Sequence, residues 1–283
     1  MFVALALVVN VAAGRLLHVA RARPGQDLGL LDHLRELRGR FLSVLAAVAV
    51  LAFVFFGFGL RLVADRFWIP WPSAHDSVAA AVFRAMAERF TPAGVDLVVT
   101  SPLDGVVALV WVALALTAAA ASPILAWHTA SFLGPAMRAN EKRAVLVAVP
   151  LGVGLFLAGA AFAWFLLVPT IFATLYTYAG ALDAQLLLAV PELVSFAAIL
   201  LLVFGLSFEL PVVMAAVSRV GLVKPRTWWR GWRHAILAIV VVAAVVTPDP
   251  TVVSQMFVAV PLLGLYVLGA TMASLLGRRA PSD

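Results

Sequence analysis

Long uninterrupted apolar runs constrain this chain more than any other feature of its sequence. Inside a bilayer every backbone N–H and C=O must be satisfied by the protein itself, and about 20 helical residues cross a hydrocarbon core roughly 30 Å thick. Phe41 to Leu60, Val106 to Trp127, Ala144 to about Val168, and Leu193 to Val217 meet that length. Pro169 is expected to kink or end the third run. Ala235 to Thr247 is a weaker fifth, because about 13 residues rise only about 20 Å, so it crosses only where the bilayer thins or its ends snorkel. Val252 to Leu276 holds the sixth, which Pro261 is expected to interrupt. The composition agrees: 64% of residues are hydrophobic, 12% are charged, and the mean hydropathy is +1.06, outside the range of soluble domains. No Ser/Gly-rich linker divides the chain, so one domain is expected.

The basic residues set the orientation. Arg15, Arg21, Arg23, Arg35, Arg38 and Arg40 precede the first run, and Arg138, Lys142 and Arg143 lie between the second and third. Arg219, Lys224, Arg226, Arg230 and Arg233 lie between the fourth and fifth, and Arg278 and Arg279 follow the sixth. The other side holds only Arg61, Arg66, Arg84 and Arg89. Cytoplasmic loops carry the Lys/Arg excess, so the expected fold is an all-α membrane protein with six transmembrane helices, the fifth and sixth short, and both termini cytoplasmic. Trp228, Trp229 and Trp232 fit a cytoplasmic aromatic belt, and Trp68 and Trp71 an outer one. The net charge of +6 does not point to nucleic acid, because the basic clusters are short and sit between apolar runs. Anionic lipid is the expected partner of that charge. Without cysteine the chain has no disulfide framework, thiolate nucleophile or Cys-type metal site, and the reading calls for no cofactor or metal. Phe2 to Ala13 is apolar but short, and its charges follow it, the reverse of a secretory signal; two readings stay open, an interfacial segment with Arg15, Arg21 and Arg23 at the headgroups or a start codon placed too early.

Three segments carry chemistry. In Asp32-His33-Leu34-Arg35-Glu36-Leu37-Arg38-Gly39-Arg40, Asp32 is a candidate N-cap, and His33, Glu36 and Arg40 share one helical face. Glu36 can pair with Arg40 or receive an arginine from outside. Phe132-Leu133-Gly134-Pro135 leads to Glu141 just before the third run, where a carboxylate also suits a helix start. Glu209 lies inside the fourth run, in Phe204-Gly205-Leu206-Ser207-Phe208-Glu209-Leu210-Pro211. An ionisable group there is expensive and is a functional hypothesis by default.

Together these segments resemble the TatC family from about Leu31 to Arg279. The His-Leu-x-Glu-Leu-Arg-x-Arg pattern is met at His33, Leu34, Glu36, Leu37, Arg38 and Arg40, and Ser101-Pro102 and Ser122-Pro123 are similar to the family's Ser-Pro pairs. Phe132, Pro135 and Glu141 match its cytoplasmic loop, Phe204 to Pro211 its Phe-Gly-x-x-Phe-Glu-x-Pro signature, and Gly221-Leu222-Val223 and Thr247 to Gln255 its last third. Thr247-Pro248-Asp249-Pro250 varies the usual order, and Val267 follows Tyr266 where the family has Glu. The resemblance implies a TatC-like domain over 31–279, an N-terminal extension over 1–30 and a cytoplasmic tail over 280–283. It implies a receptor and core subunit of the twin-arginine translocase in the cytoplasmic (inner) membrane, not an enzyme. That receptor would bind twin-arginine signal peptides of folded proteins and work with TatA- and TatB-like single-span subunits, other TatC copies and the proton-motive force. It implies a signal-peptide site with Glu36, Arg38, Phe132 and Glu141, an intramembrane Glu209 on a concave face, and a partner-helix edge at Thr247 and Gln255. The rival readings are a secondary transporter with Glu209 as ion or proton site, disfavoured because no internal repeat is visible, and an intramembrane hydrolase using Ser207 and His234, disfavoured because these lie at different depths.

Overall fold

The computed structural model describes the backbone of residues 30–63, 67–73, 75–91, 94–133, 142–180, 186–219, 221–247 and 252–276. Its frame is helical. The first helix, α1, runs Leu30–Gly57 and leads into a hairpin of β1 (Phe58–Val63) and β2 (Phe67–Pro72). Then come α2 (Val78–Phe90), β3 (Val95–Val98) and α3 (Asp104–Leu133). Next are α4 (Lys142–Phe162), a π turn over Ala163–Leu167, and α5 (Val168–Gly180). β4 (Leu186–Ala189) pairs in parallel with β3, and α6 (Val190–Arg219), α7 (Pro225–Arg230), α8 (Trp232–Val246) and α9 (Val252–Leu276) complete the chain. The two small sheets qualify the all-α expectation, and both sit in connections between helices rather than in the bundle.

Among the described residues four helices are long and apolar enough to cross a membrane: 104–123, 150–180, 190–219 and 252–276. Val44–Gly57 and Trp232–Val246 are shorter apolar helices. The fifth run is therefore short as expected, but the sixth is not: α9 holds 25 residues and continues through Pro261. The third run likewise does not end at Pro169. The Val168 N–H donates to the Ala163 carbonyl, the wider ladder of a π turn, and the helix continues to Gly180. A π turn takes up the ladder bond that a proline nitrogen cannot donate, so the ring sits in a continuous helix instead of breaking it. Asp32 lies inside α1 rather than at its N-cap.

The start of α3 explains one Ser-Pro pair. The Ser101 N–H donates to Asp104 Oδ2 at 2.8 Å, and the Thr100 N–H and hydroxyl reach the same oxygen at 2.7 and 2.8 Å. Asp104 thus gathers three donors just ahead of the helix, with Pro102 next in line and the Leu103 N–H donating to Ser101 Oγ at 3.4 Å. In the second pair, the buried Ser122 hydroxyl donates to the Ala119 carbonyl at 2.8 Å.

One end of the bundle carries a cap that the sequence reading did not anticipate. Ser77 accepts from the Ala80 N–H at 3.2 Å and starts α2, whose buried Met86 and Phe90 face the bundle. The Phe90 ring packs edge-on against Trp164 at 5.0 Å, and the Tyr176 hydroxyl donates to the Phe90 carbonyl. Beneath α2 lies an apolar cavity of about 130 Å³ bounded by Val82, Met86, Val112, Phe156, Trp164 and Leu201.

The core is centred on α6, which packs against α3, α4 and α9, with Leu193, Ala197, Leu200 and Phe204 fully buried. Helices cross here with almost no side chain between them. A Cβ on Gly159 would lie 2.3 Å from the Phe204 carbonyl oxygen, and one on Gly269 would lie 2.6 Å from the Met214 sulfur and 3.1 Å from Pro211 Cα. Small residues allow this approach, and dispersion, which replaces the hydrophobic effect as the force joining helices in lipid, is strongest at contact. Gly159→Ala is expected to lower the thermal midpoint in detergent, since overpacking costs about 1–3 kcal/mol. Gly154→Ala, where an added Cβ meets nothing within 4 Å, should leave the midpoint unchanged in the same melting experiment.

Candidate functional site

The described parts of the chemistry-bearing segments fall at two levels of the bundle. α1 packs along α3, and the far end of α1, through Gly57 and β1, joins the capped end where α2 covers the first half of α3. The two helices are thus antiparallel, and the backbone positions of Glu36 and Phe132 fall at the end opposite the cap. Arg38 is exposed there. Glu141 lies outside the described residues, immediately before α4.

Glu209 sits deeper, on α6, and is half-buried. Its neighbours in sequence form the crossing of three helices. Phe204 and Phe208 each pack against Phe162, both at 5.7 Å, and Gly205 faces the Phe156 ring so closely that a Cβ would lie 2.7 Å from it. Pro211 is buried against Gly269 of α9. The Phe-Gly-x-x-Phe-Glu-x-Pro pattern is therefore a packing code in which two phenylalanines and a glycine fix α4, a proline fixes α9, and the glutamate is left between. Among the described residues no cation pairs with the Glu209 carboxylate and no side chain donates to it. Phe162 also lines an open apolar groove of about 610 Å³ toward the capped end, formed with Leu166, Thr170, Val253, Met256 and Val260.

Thr247 follows α8 directly, and Gln255 lies in the first turn of α9. The Thr247 hydroxyl is buried and donates to the Ala243 carbonyl at 2.9 Å, so it is used within its own helix. Gln255 Nε2 donates to the Val240 carbonyl at 3.0 Å, tying α9 to α8 while the side chain stays partly exposed.

Two of the tryptophans expected as belt anchors are bonded to neighbouring helices. Trp228 Nε1 donates to Ser218 Oγ at 2.8 Å, Trp229 Nε1 donates to Ser274 Oγ at 3.0 Å, and the Tyr266 hydroxyl donates to the Trp228 carbonyl. The short helix α7 is thus fastened to both α6 and α9. Sequence alone offered only the serines at helix ends opposite an aromatic cluster, a signal too common to read.

Fold and site define a polytopic membrane protein whose central helix carries a half-buried carboxylate with no partner among the described residues. The family model described as Sec-independent protein translocase protein (TatC) matches residues 32–261. The chain belongs to the TatC family. A TatC protein of Cenarchaeum symbiosum is 35% identical over 253 residues, 88% of this chain and 96% of that protein. A TatC protein of Helicobacter pylori is 37% identical over 187 residues, 66% of this chain and 74% of its own length. A crystal structure of the twin arginine translocase receptor TatC superposes with a TM-score of 0.73 at 28% identity, covering 86% of this chain and 99% of that one.

An acidic or basic side chain at the centre of a membrane helix costs about 2.5–3.5 kcal/mol on insertion scales. With no structural partner in view to repay it, Glu209→Leu should accumulate in the membrane at least as well as the parent and melt at an equal or higher temperature. A clear fall in the melting midpoint would reveal a structural strut.

Proposed function

We propose that this chain is the receptor and core subunit of a twin-arginine translocase in the cytoplasmic membrane, where it binds twin-arginine signal peptides of folded proteins for export driven by the proton-motive force. The observation that carries this reading is that the family match over 32–261 contains both carboxylate segments, around Glu36 and Glu141. The antiparallel packing of α1 on α3 supports their convergence at one end of the bundle. We read α1, α3, α4–α5, α6, α8 and α9 as six spans, with both termini and α7 in the cytoplasm and the α2 cap outside. The Lys/Arg asymmetry supports that orientation.

In this reading Glu36 and Glu141 receive the two arginines, and Phe132 and Arg38 shape the same site. Arginine suits it because a planar guanidinium binds two carboxylate oxygens in parallel and stays charged, whereas a lysine ammonium is a hydrated point charge. Glu209 opens on a concave membrane face, and the Gln255 edge of α8 and α9 meets a partner helix. The partners are TatA- and TatB-like single-span subunits, further copies of this chain, and anionic lipid.

Orientation is tested by single cysteines, since the chain has none of its own. Cysteine at Ser73 or Asp183 should react with an impermeant thiol reagent on intact cells, and cysteine at Ala139 or Thr227 only after lysis; the opposite pattern would reverse the topology.

Recognition is tested by crosslinking to a twin-arginine signal peptide. Charge-assisted hydrogen bonds contribute about 1.5–3 kcal/mol, less where water reaches them. Glu36→Ala or Glu141→Ala should therefore reduce crosslinking roughly tenfold, at about 1.4 kcal/mol per decade. Glu→Lys at either position should be worse, and the double change worse than either single one. Wild-type crosslinking by correctly inserted Lys variants would refute the site. Glu209→Leu should insert yet impair export of a folded reporter, whereas normal export would reduce Glu209 to a tolerated residue.

A further inference from the structure

The segment from Leu210 to Thr247 contains five Lys or Arg residues and no carboxylate. All five, Arg219, Lys224, Arg226, Arg230 and Arg233, are exposed. A basic loop that only obeyed the topology rule would need no fixed shape, but this one is held. The Trp228 and Trp229 indoles bond to Ser218 and Ser274, and Tyr266 bonds to the Trp228 carbonyl, so one side of α7 faces the bundle. Arg226 and Arg230, four apart on α7, share an exposed side. The chain then passes almost directly into α8 through Gly231, whose carbonyl accepts from the His234 and Ala235 N–H groups at 3.0 and 3.1 Å. Arg233 follows, with its guanidinium 5.6 Å from the centre of the exposed Trp232 ring. From Arg233 an apolar stripe descends along α8 at four-residue intervals: Leu237, Val241 and Val245, exposed by 64%, 53% and 79%. These side chains cover none of the bundle's own core. Three exposed arginines within eight residues of a held helix and the start of the next, with an exposed apolar stripe leading away along that helix, match the two-part chemistry of a phospholipid: an anionic phosphate and an acyl chain.

We infer that Arg226, Arg230 and Arg233 hold the headgroup of an anionic phospholipid of the cytoplasmic leaflet, with one acyl chain lying along Leu237, Val241 and Val245. The site rests on the proposed orientation, in which α7 is cytoplasmic and α8 crosses the bilayer. α8 has only 15 residues, about 22 Å of rise, so a lipid seated on it bridges the mismatch with the surrounding bilayer. A zwitterionic lipid offers the same chains with no net negative charge, and free phosphate offers the charge with no chains, so the site should discriminate against both.

The test uses the full chain purified in mild detergent and native mass spectrometry with phosphatidylglycerol and phosphatidylcholine of identical acyl chains. The wild type should retain phosphatidylglycerol about tenfold more tightly than phosphatidylcholine. The triple variant Arg226→Gln, Arg230→Gln, Arg233→Gln should bind both lipids equally weakly, and the corresponding triple Lys variant should recover most of the preference because it restores charge. Leu237→Ser with Val241→Ser should weaken both lipids. Equal retention of the two lipids by the wild type, undiminished preference in the triple Gln variant, or displacement of phosphatidylglycerol by inorganic phosphate at similar concentration would each overturn the assignment. Thiol labelling of a cysteine at Thr227 in the same backgrounds separates the two levels of the argument. Labelling from outside would sink the orientation itself, whereas protection combined with any of the three contrary binding results would sink the lipid site alone.

Discussion

The structure depends on how closely α6 can approach α4 on one side and α9 on the other. In lipid no hydrophobic gain drives helices together, because the tails are as apolar as the side chains, so association rests on contact at short range. Gly159 and Gly269 supply that contact against the backbone at Phe204 and Pro211. Two consequences follow for the site. Phe204 and Phe208 lock onto Phe162, which fixes the rotation of α6 and leaves Glu209 half-exposed rather than sealed in the core. The second concerns Phe162 of α4, which holds α6 through these rings and also lines the groove.

Shape comes next from unequal helix lengths. The helix through 150–180 is kept continuous across Pro169 by a π turn and extends beyond the bundle to meet the cap, whereas α8 stops at 15 residues. The lengths therefore differ twofold, 31 residues through 150–180 against 15 in α8. The short helix is not free to slip, because α7 is bonded to α6 and α9 at one end and Gln255 is bonded to the Val240 carbonyl nearer the other.

What was legible in the sequence is what hydropathy and charge encode. The six apolar runs, the shortness of the Ala235 run and the packed signature around Glu209 could be read because each follows from the cost of placing polar groups in hydrocarbon. Pro169 does not end its run and Pro261 does not interrupt its own, because the rule that proline breaks helices is learned in water; at Pro169 the ladder widens into a π turn, and at Pro261 the helix runs on from Val252 to Leu276. The cap helix α2 escaped notice although Ser77 followed by Val78, Val82, Met86 and Phe90 has a helical period, because its apolar face is too short to stand out between far longer runs. The Trp228 and Trp229 bonds could not be read at all, since they join residues 10 and 45 positions apart and no local pattern announces them.

In the proposed function recognition rests on geometry as well as charge, with Glu36 and Glu141 taking two planar guanidinium groups. The most direct measurement is the affinity of the purified full chain for a signal peptide carrying Arg-Arg and for the same peptide carrying Lys-Lys, which differ in fork geometry but not in charge. The account predicts about tenfold tighter binding of the Arg-Arg peptide, about 1.4 kcal/mol, and loss of that preference when Glu36 and Glu141 are both changed to Gln. Equal affinity for the two peptides, or an arginine preference that survives the double substitution, would contradict it.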